Sequence, residues 1–144
     1  MNKLIEILHS GNHSLVIKID DDIQTFDGRG VSDLYNLFGK DGLQRNSNLQ
    51  HIMLADKIVG KGAAALIVAG KVSEIHADVI STSALNLLRE HGISVTFDKE
   101  VAHIINREGT DWCPVEKLCY SETSIEIMLN KISKFITERK NHAK

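Results

Sequence analysis

The chain has 144 residues, 42% hydrophobic and 25% charged, the size and balance of one globular domain, residues 1–144, around a single core. Seventeen Lys and Arg against nineteen Asp and Glu leave a net charge of −2, so no global field recruits nucleic acid or anionic lipid. Two cysteines beside one proline argue against a disulfide scaffold and for a reducing compartment. Glu6 and His9 break the apolar stretch a signal peptide needs, and Gly62–Ala69, flanked by Lys61 and Lys71, is too short to span a bilayer. A cytoplasmic location without membrane contact is expected.

In chain order, Asn2–His9 carries Leu4, Ile5 and Leu8 at helical spacing and stops at Gly11-Asn12. Ser14–Asp20 alternates Leu15, Ile17 and Ile19, and with a turn at Asp20–Asp22 and a return over Ile23–Phe26 it predicts a β-hairpin, closed by Gly28-Arg29-Gly30. Ser32 suits the N-cap of a short helix carrying Leu34, Leu37 and Phe38, with Gly39 after it. Lys40–Gln50 has no period. Asp56 is the expected N-cap of a helix that is apolar all round over Ala63–Ala69 and ends at Gly70. Val72–Ile80 follows as a strand with Ile75, Ala77 and Val79 on one face and His76, Asp78 and Ile80 on the other. His76 itself reads as a hydrogen-bonded strand histidine.

A helix over Ser81–His91, closed by Gly92, and a strand over Ile93–Asp98 complete a helix-strand-helix-strand run whose short connections imply parallel pairing. The fold class is α/β. A further strand is expected over Val101–Ile105, a short helix after Cys113-Pro114, and an amphipathic helix over 123–140 opened by the capping box Thr123-x-x-Glu126 and burying Ile125, Met128, Leu129, Ile132 and Ile136.

Three segments carry a resemblance: ADKIVGKGAAA at 55–65, ADVIS at 77–81, and HIINREGTDWCPVEKL at 103–118. Together they are similar to an uncharacterised prokaryotic domain-of-unknown-function family with a cytidine deaminase-like fold. The resemblance implies a three-layer fold with a mixed sheet, an N-terminal antiparallel hairpin beside parallel strands, and helices on both faces. It implies no reaction. Deaminases hold zinc through His-x-Glu and Pro-Cys-x-x-Cys. Here no histidine is followed two residues later by glutamate, and Ser81-Thr82-Ser83-Ala84 stands where the second motif belongs. Hydroxyls do not replace thiolates, and Cys113 and Cys119 are poorly spaced for one ion. Neither a metal nor any other cofactor is expected.

The candidate site residues each carry two readings. Lys57 and Lys61, one helical turn apart at a helix start, either form an anion subsite or are a lysine paired with Asp56 beside a solvated one. Gly60 and Gly62 mark a close approach, by a ligand or by a packed element. Asp78, Ser81 and Thr82 stand at the carboxyl end of a strand, where open α/β sheets bind ligands, although Ser81 also suits an N-cap. The resemblance would bring Asp56, Lys57, Lys61, Asp78, Ser81 and Thr82 into one cleft.

Cys113, at the N-terminus of a helix opened by Pro114, has the makings of a thiolate nucleophile with His103 and Arg107 near in sequence, or is an inert packed thiol. Cys119 reads as core. Arg107, Asn106 and Thr110 form an anion clamp or an internally bonded loop. Lys131, Lys134, Arg139, Lys140 and Lys144 make a basic end that fits a solvated helix terminus, and 5% aromatic content argues against nucleic-acid partners.

Two main functions remain. One is a metal-independent enzyme for a small anionic or nucleotide-like ligand, with Asp56 or Asp78 as general base and Cys113 as nucleophile. The other is a non-catalytic sensor or oligomeric module, with a Cys113 sulfur carrier as a third possibility. A homo-oligomer is expected, joined through the apolar helix at Ala63–Ala69, while the last helix docks on the chain's own sheet.

Overall fold

The computed structural model describes residues 1–28, 31–39, 51–106 and 108–142. Its elements are α1 (Asn2–Ser10), β1 (Leu15–Ile19), β2 (Asp22–Phe26), α2 (Ser32–Phe38), β3 (Ile52–Val59), α3 (Lys61–Ala69), β4 (Glu74–Ser81), α4 (Thr82–Glu90), β5 (Ser94–Val101), α5 (Pro114–Cys119) and α6 (Ile125–His142). The strands form one mixed sheet in the order β2-β1-β3-β4-β5. β1 runs antiparallel to both β2 and β3, and β3, β4 and β5 are parallel. The hairpin turns at Asp20, whose φ of 53° is a left-handed conformation that aspartate tolerates.

The sheet has helices on both faces. Leu4 and Leu8 of α1 bury Val16 and Ala55 on one side, whereas Ile17, Leu54, Ile75 and Ala77 face the larger core with α3 and α4 on the other. α3 is enclosed by α2, α4, α5 and α6, and every residue from Gly62 to Ile67 is buried. The apolar surface that suggested an oligomer is therefore covered within the chain. α6 docks through Met128, Ile132 and Ile136, as its pattern required, but against α3 and α5 rather than on the sheet.

Several expectations need correcting. Asp56 does not cap a helix; it lies inside β3, between β1 and β4. A strand covered on both faces shows no alternation, and the charged pair Asp56-Lys57 made its end resemble a helix start. α3 begins at Lys61, with Gly60 as N-cap, so Lys57 and Lys61 are not one helical turn apart. Near the end of β4 the alternation breaks: Ile80, not Val79, joins the larger core. β5 continues to Val101, and beyond it only a bridge between Ile105 and Trp112 remains of the expected strand. Val31 rather than Ser32 precedes α2, and the side chain that caps α6 is Ser124, whose Oγ accepts from Ile127 N–H at 3.3 Å. Arg29, Gly30 and Lys40–Gln50 lie outside the described residues.

Gly62 is required by close packing: a Cβ there would collide with Val115 Cγ1 of α5. Gly62→Ala is expected to cost about 1–2 kcal/mol, because overpacking of about 1–3 kcal/mol exceeds the gain of up to about 1 kcal/mol in helix propensity. Urea unfolding checks this; a more stable variant would mean that α5 shifts freely.

Candidate functional site

β3 and β4 end side by side, and α3 and α4 start there. A helix start leaves N–H donors without partners and favours negative charge, and the extended N-cap Gly60 has no side chain to supply an acceptor. Glu116 of α5 supplies it. Its carboxylate, 1% exposed, accepts from Lys61 N–H at 2.9 Å, Ser81 Oγ at 3.0 Å and Ser83 Oγ at 3.4 Å through Oε1, and from Ile104 N–H at 2.5 Å through Oε2. Ser81 Oγ also caps α4 by accepting from Ala84 N–H at 3.3 Å. The anion position at this sheet edge is thus filled by the protein's own carboxylate. Hydroxyls and a carboxylate already holding four donors do not fit a deaminase-type zinc. No sequence signal marks Glu116, since a lone glutamate between Val115 and Lys117 looks solvated.

The expected convergence of six residues does not form. Lys61 Nζ donates to the carbonyls of Tyr120 and Glu122 at 2.8 and 2.6 Å, tying down the chain between α5 and α6. Lys57 Nζ reaches Asn12 Oδ1 at 2.6 Å. Neither lysine pairs with Asp56. Thr82 Oγ1 donates to Glu100 Oε2 at 2.7 Å and to Val101 O at 3.3 Å. Asp78 alternates with Ala77 and so faces α1, where His9 Nε2 meets it at 2.9 Å.

Asp56 is partly covered and accepts from Ile58 N–H at 3.3 Å. Burial pushes its carboxyl up to about 7, aided by the charges of Asp78 and Asp33 and opposed by the Ile58 and Lys57 N–H groups. A carboxyl that changes charge near neutrality is suited to general acid–base work.

Beyond Glu116 lies an aromatic cluster. His103 stacks on Trp112 with centroids 3.6 Å apart and 21° between planes, and Tyr120 lies 5.1 Å from His103 and 4.9 Å from Trp112. Ile105 and Tyr120 are 49% and 44% exposed, so the cluster meets an apolar surface. His103 Nδ1 is buried and has no hydrogen-bond partner among the described residues. Asn106 and Thr110 bond each other, Asn106 Oδ1 accepting from Thr110 N–H at 3.0 Å, which matches the internally bonded loop; Arg107 lies outside the described residues.

Cys113 is the N-cap of the six-residue α5, half-buried and packed against the core. It is a free thiol whose sulfur makes no hydrogen bond among the described residues. Cys119 is fully buried, and burial raises its thiol to about 11, consistent with core.

Fold and site together define a mixed α/β protein of three layers whose ligand-prone sheet edge is closed by an internal carboxylate. The family model TM1506, a domain of unknown function (DUF1893), matches residues 3–136, and the chain belongs to that family. The crystal structure of a DUF1893 family protein, TM1506 from Thermotoga maritima, is similar over 92% of this chain and 87% of that one, with 28% identity and a TM-score of 0.80. No curated protein matches the chain.

Proposed function

We propose that the chain binds a small nucleotide-like ligand whose flat ring lies against the surface formed by His103, Trp112, Tyr120 and Ile105. The supporting observation is the stacked cluster itself: three rings gathered beside the carboxyl edge of a parallel sheet, with Tyr120 and Ile105 exposed where open α/β sheets place ligands. His103 Nδ1, without a partner among the described residues, adds to it, because a purely structural histidine would be expected to have found one there. The resemblance to the deaminase scaffold favours the same ligand class. The ligand's ring, rather than its charge, carries recognition, since Glu116 fills the anion position and both Lys57 and Lys61 are engaged.

Trp112 is the chain's single tryptophan, so its fluorescence reports directly on this surface. Titration with nucleosides and nucleotides is expected to quench it saturably, with the nucleoside and its monophosphate binding within about threefold of each other. Tyr120→Ala is expected to weaken binding roughly 5- to 100-fold, the equivalent of about 1–3 kcal/mol per stacked base. Unchanged emission with every purine and pyrimidine probe refutes the reading.

A further inference from the structure

We propose that His76, Asp78 and Asp98 form a binding site for a divalent transition-metal ion of the zinc class on the α1 face of the sheet, with His9 of α1 held beside it by Asp78. Three elements build it. His76 and Asp78 stand two residues apart on β4 and share a face, and the parallel register, with Ala77 opposite Phe97 and Val79 opposite Lys99, sets Asp98 of β5 beside Asp78. His9 comes from the last turn of α1. Its Nε2 lies 3.0 and 2.9 Å from the two Asp78 oxygens, while His76 Nε2 lies 3.2 Å from Asp78 Oδ1 and 3.9 Å from Asp98 Oδ2. One donor atom from each of His76, Asp78 and Asp98 falls within 4.8 Å of the others, so a small closure brings them to the roughly 2.0–2.2 Å that nitrogen and carboxylate ligands take around zinc.

Two features point to a cation rather than a set of ordinary ion pairs. Like charges directly opposite each other on neighbouring strands destabilise a sheet, yet Asp78 and Asp98 are so placed. Among the described residues, the ion pairs of these two carboxylates are with the imidazoles alone. A cation would relieve the repulsion. The second feature is orientation: His76, only 5% exposed, has Nδ1 3.0 Å from Thr96 Oγ1, the outer hydrogen bond that ligating histidines generally make. That bond directs Nε2 toward the carboxylates.

The chemistry of the donors selects the ion. One imidazole and two carboxylates, with a second imidazole beside them, suit zinc, cobalt, iron or nickel, whereas magnesium and calcium prefer oxygen alone. The side chains of His9 and Asp98 are 48% and 65% exposed, which leaves the site open to water on one side. The missing deaminase motifs concern the start of α3 and α4; the histidine cluster lies on the other face of the sheet and does not rest on the proposed ligand surface.

The test is titration with Zn²⁺ and Co²⁺ by calorimetry and, for cobalt, visible absorption, in a Cys113→Ser background so that the half-buried thiol contributes nothing. One ion per chain is expected, with a rise in melting temperature that the same concentration of Mg²⁺ does not produce. His9→Gln and Asp98→Asn, both at exposed positions, are each expected to lower zinc affinity at least tenfold while leaving the ion-free melting temperature within a few degrees of the parent. Absence of binding, or equal binding by the parent and the His9→Gln/Asp98→Asn double variant, overturns the proposal.

Discussion

Glu116→Ala is expected to be among the most destabilising single substitutions in this chain, lowering stability by about 3–5 kcal/mol. The mechanism is specific. Removal of the carboxylate leaves Lys61 N–H, Ile104 N–H and the Ser81 hydroxyl without their acceptor in a buried place, and each unsatisfied buried group costs about 1–3 kcal/mol. The new cavity adds to that loss, while water entering it and rotation of the serine hydroxyl recover part. For a domain of this size the melting temperature should fall on the order of 10–20 °C. Glu116→Gln preserves the shape and one acceptor oxygen but turns an amide NH₂ toward donors, so about half that loss is expected. Thermal unfolding of the three proteins by circular dichroism decides the matter. If Glu116→Ala melted within 2 °C of the parent, the carboxylate would not be the hub that joins α3, α4 and α5.

Asp56→Asn is expected to act in the opposite direction, and only above acidic pH. The folded state holds the Asp56 proton up to about pH 7, whereas the unfolded chain releases it near the ordinary value of 3.8. Between these values the folded state binds more protons than the unfolded one, so this residue makes stability fall as pH rises, and the penalty is complete above pH 7. A separation of that size corresponds to on the order of 4 kcal/mol at pH 8. Asparagine keeps an oxygen for the Ile58 N–H and never ionises. The variant should therefore match the parent below pH 4, gain progressively from pH 4 to 7, and exceed it by up to that amount at pH 8. Parallel stability curves for the two proteins across pH 4–8 would show that Asp56 ionises as easily folded as unfolded.

The sequence alone carried the α/β class, the hairpin, the helix-strand-helix-strand order from α3 to β5, and the pattern by which α6 docks. These depend on signals within a few residues of one another. Leu15, Ile17 and Ile19 alternate along one strand; Gly11, Gly39 and Gly70 follow the helices they end; Pro114 opens α5; Met128, Ile132 and Ile136 recur at the helical period. The segment at 103–118 was also legible as a family motif, although nothing local disclosed that its Glu116 turns inward.

Tertiary structure decided the rest. β3 lies between two other strands with both faces covered, which erases the alternation that would have announced it. Lys61 is spent on carbonyls 59 and 61 residues away, and Glu116 accepts from Lys61 N–H 55 residues back; no spacing rule reaches that far. Asp78 follows His76 to the α1 face because strand side chains alternate, yet its meeting with His9 across 69 residues depends on where α1 packs. Local periodicity determines which residues are buried. Which polar groups they meet there is set by the closing of the sheet and the helices over it, since a buried donor or acceptor takes whatever partner the packing brings within hydrogen-bond distance.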